Sequence, residues 1–128
     1  MNKKIHPRFK SKLENDFYTK HDKLIIGYET DRIGYNLPHH YTPDFKIGEK
    51  TWVETKGQWH SGDRTKISQV LTQNPGVTII MAFQNPHQPL YTGARSTYSD
   101  WCNRRGIPWV DANDTQAVRN IIAEYTKS

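Results

Sequence analysis

The sequence lacks most of the features that assign a protein to a class at a glance. It holds one cysteine, Cys102, so no disulfide can form within the chain. No cysteine and histidine cluster has the spacing of a structural zinc site. Both absences fit a reducing, cytoplasmic setting. No run is long and apolar enough to cross a membrane, so no membrane partner is expected. The opening MNKKIHPRFK is basic but carries no apolar stretch, and no secretory signal is expected there. There is no internal repeat and no low-complexity tract. Apolar residues make up 34% of the chain, which is lean for 128 residues and leaves room for a second copy to complete part of the core. The length predicts one domain over residues 1–128.

Acids are also scarce at the start. Lys3, Lys4, Arg8, Lys10 and Lys12 all precede the first acid, Glu14, and residues 1–10 read as a flexible basic arm. Arg95, Arg104 and Arg105 form a second basic group. The net charge of +5 favours an anionic partner, of which nucleic acid is the commonest.

What the chain does contain is a run of alternating signals. Ser11 followed by Glu14 reads as the start of a helix continued by Leu13 and Phe17. LIIGYE (24–29) suits a strand, and DRIGYNLPHH (31–40) reads as an extended connector. YTPDFKI and TWVETKG, separated by Gly48, Glu49 and Lys50, read as a β-hairpin. Ile67, Val70 and Leu71 mark a helix over 63–74, capped by Asp63 and ended by Pro75 and Gly76. VTIIMAF (77–83) has the continuous apolar, β-branched character of a strand buried on both faces. After a loop over 84–94 come a helix over 97–106 stopped by Gly106, a short strand in IPWVDA, and a helix over Thr115–Tyr125. This order predicts an α/β fold, a mixed sheet flanked by helices.

The hairpin carries the chemistry. Alternate strand residues share a face, so Trp52, Glu54 and Lys56 point the same way. A turn centred on Glu49 sets Asp44 directly across from Glu54. Like charges so placed destabilise a sheet unless a cation sits between them. Mg²⁺ takes oxygen ligands and needs only one or two carboxylates, and the Thr55 carbonyl offers a further oxygen. Lys56 beside such an ion could orient an attacking water or neutralise charge building on a phosphate. The set points to metal-assisted phosphodiester hydrolysis. The plainer reading is a solvated charge pair on a surface hairpin.

Pro43-Asp44 with Glu54-Thr55-Lys56 is the PD-(D/E)XK nuclease motif. The stretches SKLEN, YTPDF, VETKGQW, DR-x-K and LYTG…STYSDWCNRRGI resemble the bacteriophage endonuclease I family, which resolves Holliday junctions, from about Ser11 to about Val110. The resemblance implies a restriction-endonuclease-like fold and a domain-swapped homodimer. It implies paired nicking of four-way and other branched DNA, with Mg²⁺ or Mn²⁺ as cofactor, and a host-cell cytoplasmic setting. It also implies that Glu14, Asp44, Glu54 and Lys56 are catalytic, with Glu14 supplied from the other chain. Glu14, Asp44, Glu54 and Thr55 would hold metal. The segment between Glu29 and Tyr41 is shorter than in the family's best-known member, and the C-terminal helix has no clear counterpart.

Several residues admit two readings. Glu14 is a capping-box acid or a metal ligand, and the two roles compete for one carboxylate. Glu29 is an exposed strand end or a secondary acid near the metals. His39 and His40 belong to a polar loop, Trp59 to the core, Asp63 to a helix cap, and Cys102 to the core. Arg64, Lys66, Arg95, Arg104, Arg105, Lys3, Lys4, Arg8 and Lys10 are the candidates for DNA phosphate contacts. Two other functions remain open: a sequence-specific PD-(D/E)XK endonuclease of restriction or repair type, and a DNA-binding module with a relic site.

Overall fold

The computed structural model describes residues 9–35 and 39–127. A five-stranded sheet in the order β1-β4-β5-β6-β7 forms its centre. The strands are β1 Gly27–Tyr28, β4 Phe45–Lys46, β5 Thr51–Lys56, β6 Thr78–Phe83 and β7 Trp109–Asp111. β1–β4 and β4–β5 are antiparallel, while β5–β6 and β6–β7 are parallel. The expected mixed α/β sheet is therefore present.

Parallel neighbours need crossover helices. α2 (Ser61–Gln73) joins β5 to β6 and α3 (Tyr98–Arg105) joins β6 to β7. Two crossovers of one hand, stepping the same way across a sheet, place both helices on one face. The core shows this. Trp52, Ile79, Met81 and Phe83 meet Trp59, Ile67, Val70, Trp101 and Cys102 on that face. Phe45, Val53, Ile80 and Ala82 meet Phe17 of α1 (Lys12–His21) and Val118 and Ile122 of α4 (Thr115–Thr126) on the other. The run 78–83 is covered on both sides, as its unbroken apolar character requires.

Helix ends follow the sequence chemistry. The Ser11 hydroxyl accepts from the Glu14 amide at 3.1 Å at the start of α1. Thr97 and Asp100 cap α3 reciprocally, and Gly106, with φ of 67°, ends it in the left-handed conformation. No helix of the described residues is long and apolar enough to cross a membrane.

Four expectations need correction. The strand over 24–29 shrinks to Gly27–Tyr28, after a 3-10 turn over Asp22–Leu24. Its partner β4 is only two residues long, so Ile26 has little sheet to cover it and stays 65% exposed. The connector over 31–40 is not a plain extended link. β2 (Ile33–Tyr35) and β3 (His39–Tyr41) pair antiparallel as a separate ribbon, with residues 36–38 outside the described set. Buried Ile33 and Tyr41 join the α2-side core, and the Asn74 side chain donates to the Gly34 carbonyl at 2.6 Å. Asp63 is not the N-cap of α2. It lies in the helix's first turn and accepts from the amide of His60, the true cap, at 3.2 Å. The basic arm does not extend to residue 10, because Phe9 is buried against Tyr18, Tyr28 and Phe45. Residues 1–8, including Lys3, Lys4 and Arg8, lie outside the described residues.

Candidate active site

The β4–β5 ladder pairs Phe45 with Val53 and Lys46 with Trp52. Carried one residue further, that register sets Asp44 opposite Glu54, as a turn centred on Glu49 requires. Both acids are buried. They are linked through the backbone, since the Asp44 amide donates to Glu54 Oε1 at 3.1 Å. Thr55 holds Asp44 from the facing strand. Its amide and its hydroxyl both donate to Asp44 Oδ2, at 2.9 and 2.8 Å.

Glu14 arrives from α1 of the same chain. Its Oε1 accepts the Tyr28 hydroxyl, and its Oε2 accepts the Ser11 hydroxyl at 3.2 Å. The two Glu14 oxygens thus have different partners, Tyr28 on one and Ser11 on the other. Glu29 follows Tyr28. Its amide donates to the Asp44 carbonyl at 2.9 Å, and its φ of 49° is in the left-handed region that non-glycine residues seldom enter. That bend turns Glu29 inward. Ligand oxygens of Glu14, Glu29 and Asp44 all lie within 4.8 Å of one another. Glu29 thus belongs to the acidic cluster, not to an exposed strand end.

Charge in this cluster is unbalanced. Glu14, Glu29, Asp44, Glu54 and Asp63 face the ammonium groups of Lys56 and Lys10. Lys56 lies 3.9 Å from both Glu54 and Asp63, and Lys10 lies 3.3 Å from Glu29. Burial pushes Asp44 up to about 6, against the lowering bond from the Thr55 amide, and the Glu14 charge adds to the rise. Burial, then the Asp44 charge, pushes Glu54 up to about 8, with Lys56 opposing. Burial, then the hydrogen bond to Glu14, raises the Tyr28 hydroxyl far above its ordinary range. An uncompensated buried carboxylate costs several kcal/mol, roughly, so such a group either takes a proton or holds a cation. The donors are all oxygens, which suits a hard divalent ion.

A family model described as phage endonuclease I matches residues 2–121. The chain belongs to the phage endonuclease I family. The match runs past Val110 into α4, beyond the motifs of the sequence. "Endodeoxyribonuclease 1" of Enterobacteria phage T3 is 39% identical over 91 residues, covering 69% of this chain and 60% of that protein. "Endonuclease I" of Escherichia phage T7 is 37% identical over 91 residues, covering 69% of this chain and 61% of its own. The chain spans about three fifths of the length of these relatives.

The remaining candidates are spread around the site. Arg64 is half-buried, and its guanidinium donates to the Trp59 carbonyl at 2.6 Å. Arg64 and Arg105 line one shallow cleft between α2 and α3. Arg105 lies over the Trp101 ring at 3.9 Å, and Arg104 donates to Ser96 at 3.2 Å. Lys66 is half-buried and Arg95 exposed. Lys10 faces Glu29 and so sits at the acidic cluster. His39 and His40 are exposed on β3. Burial pushes the Cys102 thiol up to about 12, in keeping with a core role.

Two residues at the site had no sequence signal. Tyr28 reaches Glu14 only because β1 runs beside β4. Tyr41 is buried beside Glu54 and Asp44, whose charges, after burial, raise its hydroxyl far above the usual range. Among the described residues that hydroxyl makes no hydrogen bond of ordinary geometry.

Proposed function

We propose that the chain is a metal-dependent DNA endonuclease that resolves four-way and other branched DNA by paired phosphodiester hydrolysis. The observation that carries this reading is that Glu14 and Asp44 meet with Glu29 in one acidic cluster, with Glu54 bonded to the Asp44 amide and Lys56 beside Glu54. Membership of the phage endonuclease I family supports it. So do the T3 and T7 relatives, whose names describe endonucleases.

Asp44, Glu54 and Glu14 would hold the cation, Mg²⁺ or Mn²⁺, with Glu29 as a further carboxylate and Thr55 keeping Asp44 in place. When bound, the ion lowers the pKa of a water and polarises a phosphate oxygen. Lys56 supplies positive charge beside the acids, where it orients the nucleophile or offsets charge on the phosphorus. Asp63 keeps the Lys56 ammonium at that place. Cutting two strands at one branch calls for two sites, so the working form is a homodimer. The setting is the cytoplasm of the host cell.

The test is cleavage of a synthetic four-way junction beside linear duplexes of the same sequence, with Mg²⁺. Preferential cutting at the branch, following it when the sequence is permuted, supports the reading. Equal cutting of both substrates, or cuts that follow base sequence, sinks it. Lys56→Ala should lose cleavage while retaining junction binding.

A further inference from the structure

A groove beside the acidic cluster is left unused by the chemistry proposed above. It encloses about 620 Å³. Gln58, His60, Ser61 and Arg64 line one wall, and Gln88 and Tyr91 the other. The first wall is the exit of β5 and the first turn of α2, and the second is the loop that leads into α3. A hydrogen bond from the Trp59 amide to the Tyr98 hydroxyl, at 3.0 Å, ties the two sides together at the floor.

We propose that this groove receives one unstacked nucleotide of the DNA strand, next to the phosphate that is cut. The base lies on Tyr91 and a phosphate on Arg64. The assignment rests on the nuclease reading and adds the means by which a branch is told from a duplex.

Four observations carry it. The charge of the lining is opposite to that of its neighbour, since no acid lines the groove among the described residues, whereas the adjoining site is crowded with them. Arg64 is already oriented. One guanidinium N–H is held by the Trp59 carbonyl at 2.6 Å, and the planar group has four further N–H donors for a phosphate. Tyr91 is 69% exposed, an unusual position for a large aromatic ring, on a loop closed at its base by the Leu90 amide on the Ser96 carbonyl at 3.0 Å. The ring is thus offered to solvent from an anchored support. Finally, Trp59 on the floor is fully buried, yet its Nε1 reaches no acceptor among the described residues.

The place of the groove gives it a function. Arg64 follows Asp63, whose carboxylate lies 3.9 Å from Lys56, so the groove begins one residue from the catalytic end. A base stacked within a duplex cannot enter a pocket, and unstacking it costs energy. At a branch point the stack is already interrupted, so the cost falls. Selection by shape, without reading sequence, follows from that difference.

The test is a double-mutant cycle on the full-length Lys56→Ala chain, which is expected to bind without cutting. Four-way junctions carry a single abasic nucleotide at each position flanking the branch in turn. Tyr91→Ala is expected to weaken junction binding by roughly tenfold, the size of a lost base-aromatic stack. One abasic position should weaken it equally, and the two changes together should cost no more than either alone. Tyr91→Phe should restore binding, and Arg64→Gln should weaken it with a shallower salt dependence. The assignment is overturned if Tyr91→Ala and Arg64→Gln both bind within about twofold of the parent, or if Tyr91→Ala and every abasic position act independently. Cleavage by the unsubstituted chain, measured alongside, separates the two readings. If that chain cuts junctions while the variants bind as the parent does, only the groove assignment falls. If it neither binds nor cuts junctions, both fall.

Discussion

Thr55 holds one oxygen of Asp44 twice, with its amide at 2.9 Å and its hydroxyl at 2.8 Å. The amide bond belongs to the backbone and survives substitution, but the hydroxyl bond does not. Thr55→Val keeps the branched shape that suits a strand and removes that hydroxyl alone. It should destabilise the protein by about 1–2 kcal/mol, because a buried carboxylate loses a donor. Metal-dependent cleavage should fall about tenfold through looser placement of Asp44. Urea unfolding and the Mg²⁺ dependence of junction cleavage measure the two effects separately. Unchanged cleavage would mean that the amide alone positions Asp44.

The two oxygens of Glu14 serve different partners, so its two roles can be separated. Ser11→Ala removes the cap and should cost about 1 kcal/mol of stability while leaving cleavage measurable. Glu14→Gln keeps the size of the side chain and loses the charge, and cleavage should fall by several orders of magnitude. Thermal melts and single-turnover cleavage of both variants check this. A Glu14→Gln chain that cuts at the parent rate would return Glu14 to a purely structural role.

The acids of the site make stability fall as pH rises. Asp44 and Glu54 stand at about 6 and about 8 in the folded chain, against ordinary values of 3.8 and 4.5. Between those limits the folded state holds more protons than the unfolded one, so the stability present at low pH is lost as pH climbs through the folded values. In chelator, Glu54→Gln should therefore melt higher than the parent near pH 8, with the difference shrinking near pH 4. Binding of Mn²⁺ near pH 7 should release protons, because Glu54 must lose one to act as a ligand. Calorimetry in two buffers of different ionisation heat reads the proton count. No buffer dependence would count against Glu54 as a ligand.

His21 works in the opposite direction. It is buried in the last turn of α1 against Phe17, at 4.8 Å, and neither ring nitrogen has a partner among the described residues. Burial lowers its pKa from 6.5, and the charges of Arg119 and Lys20 lower it further. Its share of stability is therefore present above about 6.5 and lost as pH falls through the folded value. His21→Leu should flatten the acid side of the stability profile below about pH 6.5, as read by chelator-treated melts across that side. An unchanged slope there would place the acid sensitivity elsewhere.

Much of the architecture was legible in the chain because its signals are local. The unbroken VTIIMAF run marks a doubly covered strand, Ser11 with Glu14 marks the start of α1, and Gly106 marks the end of α3. The hairpin register follows from a short turn and a two-residue period, which set Asp44 against Glu54. Errors fell where burial outweighed pattern. LIIGYE has the composition of a strand, but only Gly27 and Tyr28 enter the sheet as strand residues. DRIGYNLPHH has the punctuation of a connector, but Ile33 and Tyr41 had a core to enter and drew a ribbon with them. Asp63 resembled a cap because aspartate serves both as cap and as third-position partner, and only the helix start tells them apart.

The sequence by itself determined the hairpin that sets Asp44 against Glu54, the mixed sheet and the family, since these rest on neighbours within a few residues and on motifs that survive being read as text. Tertiary structure alone decided how Glu14, Tyr28, Glu29 and Asp44 come together from α1, β1 and the hairpin. It also decided that Glu14 bonds Ser11 and Tyr28 at once, one through each oxygen. The physical reason is distance along the chain. A carboxylate is perturbed by whatever charge and burial surround it, and those surroundings are set by elements thirty residues apart whose meeting no local pattern encodes.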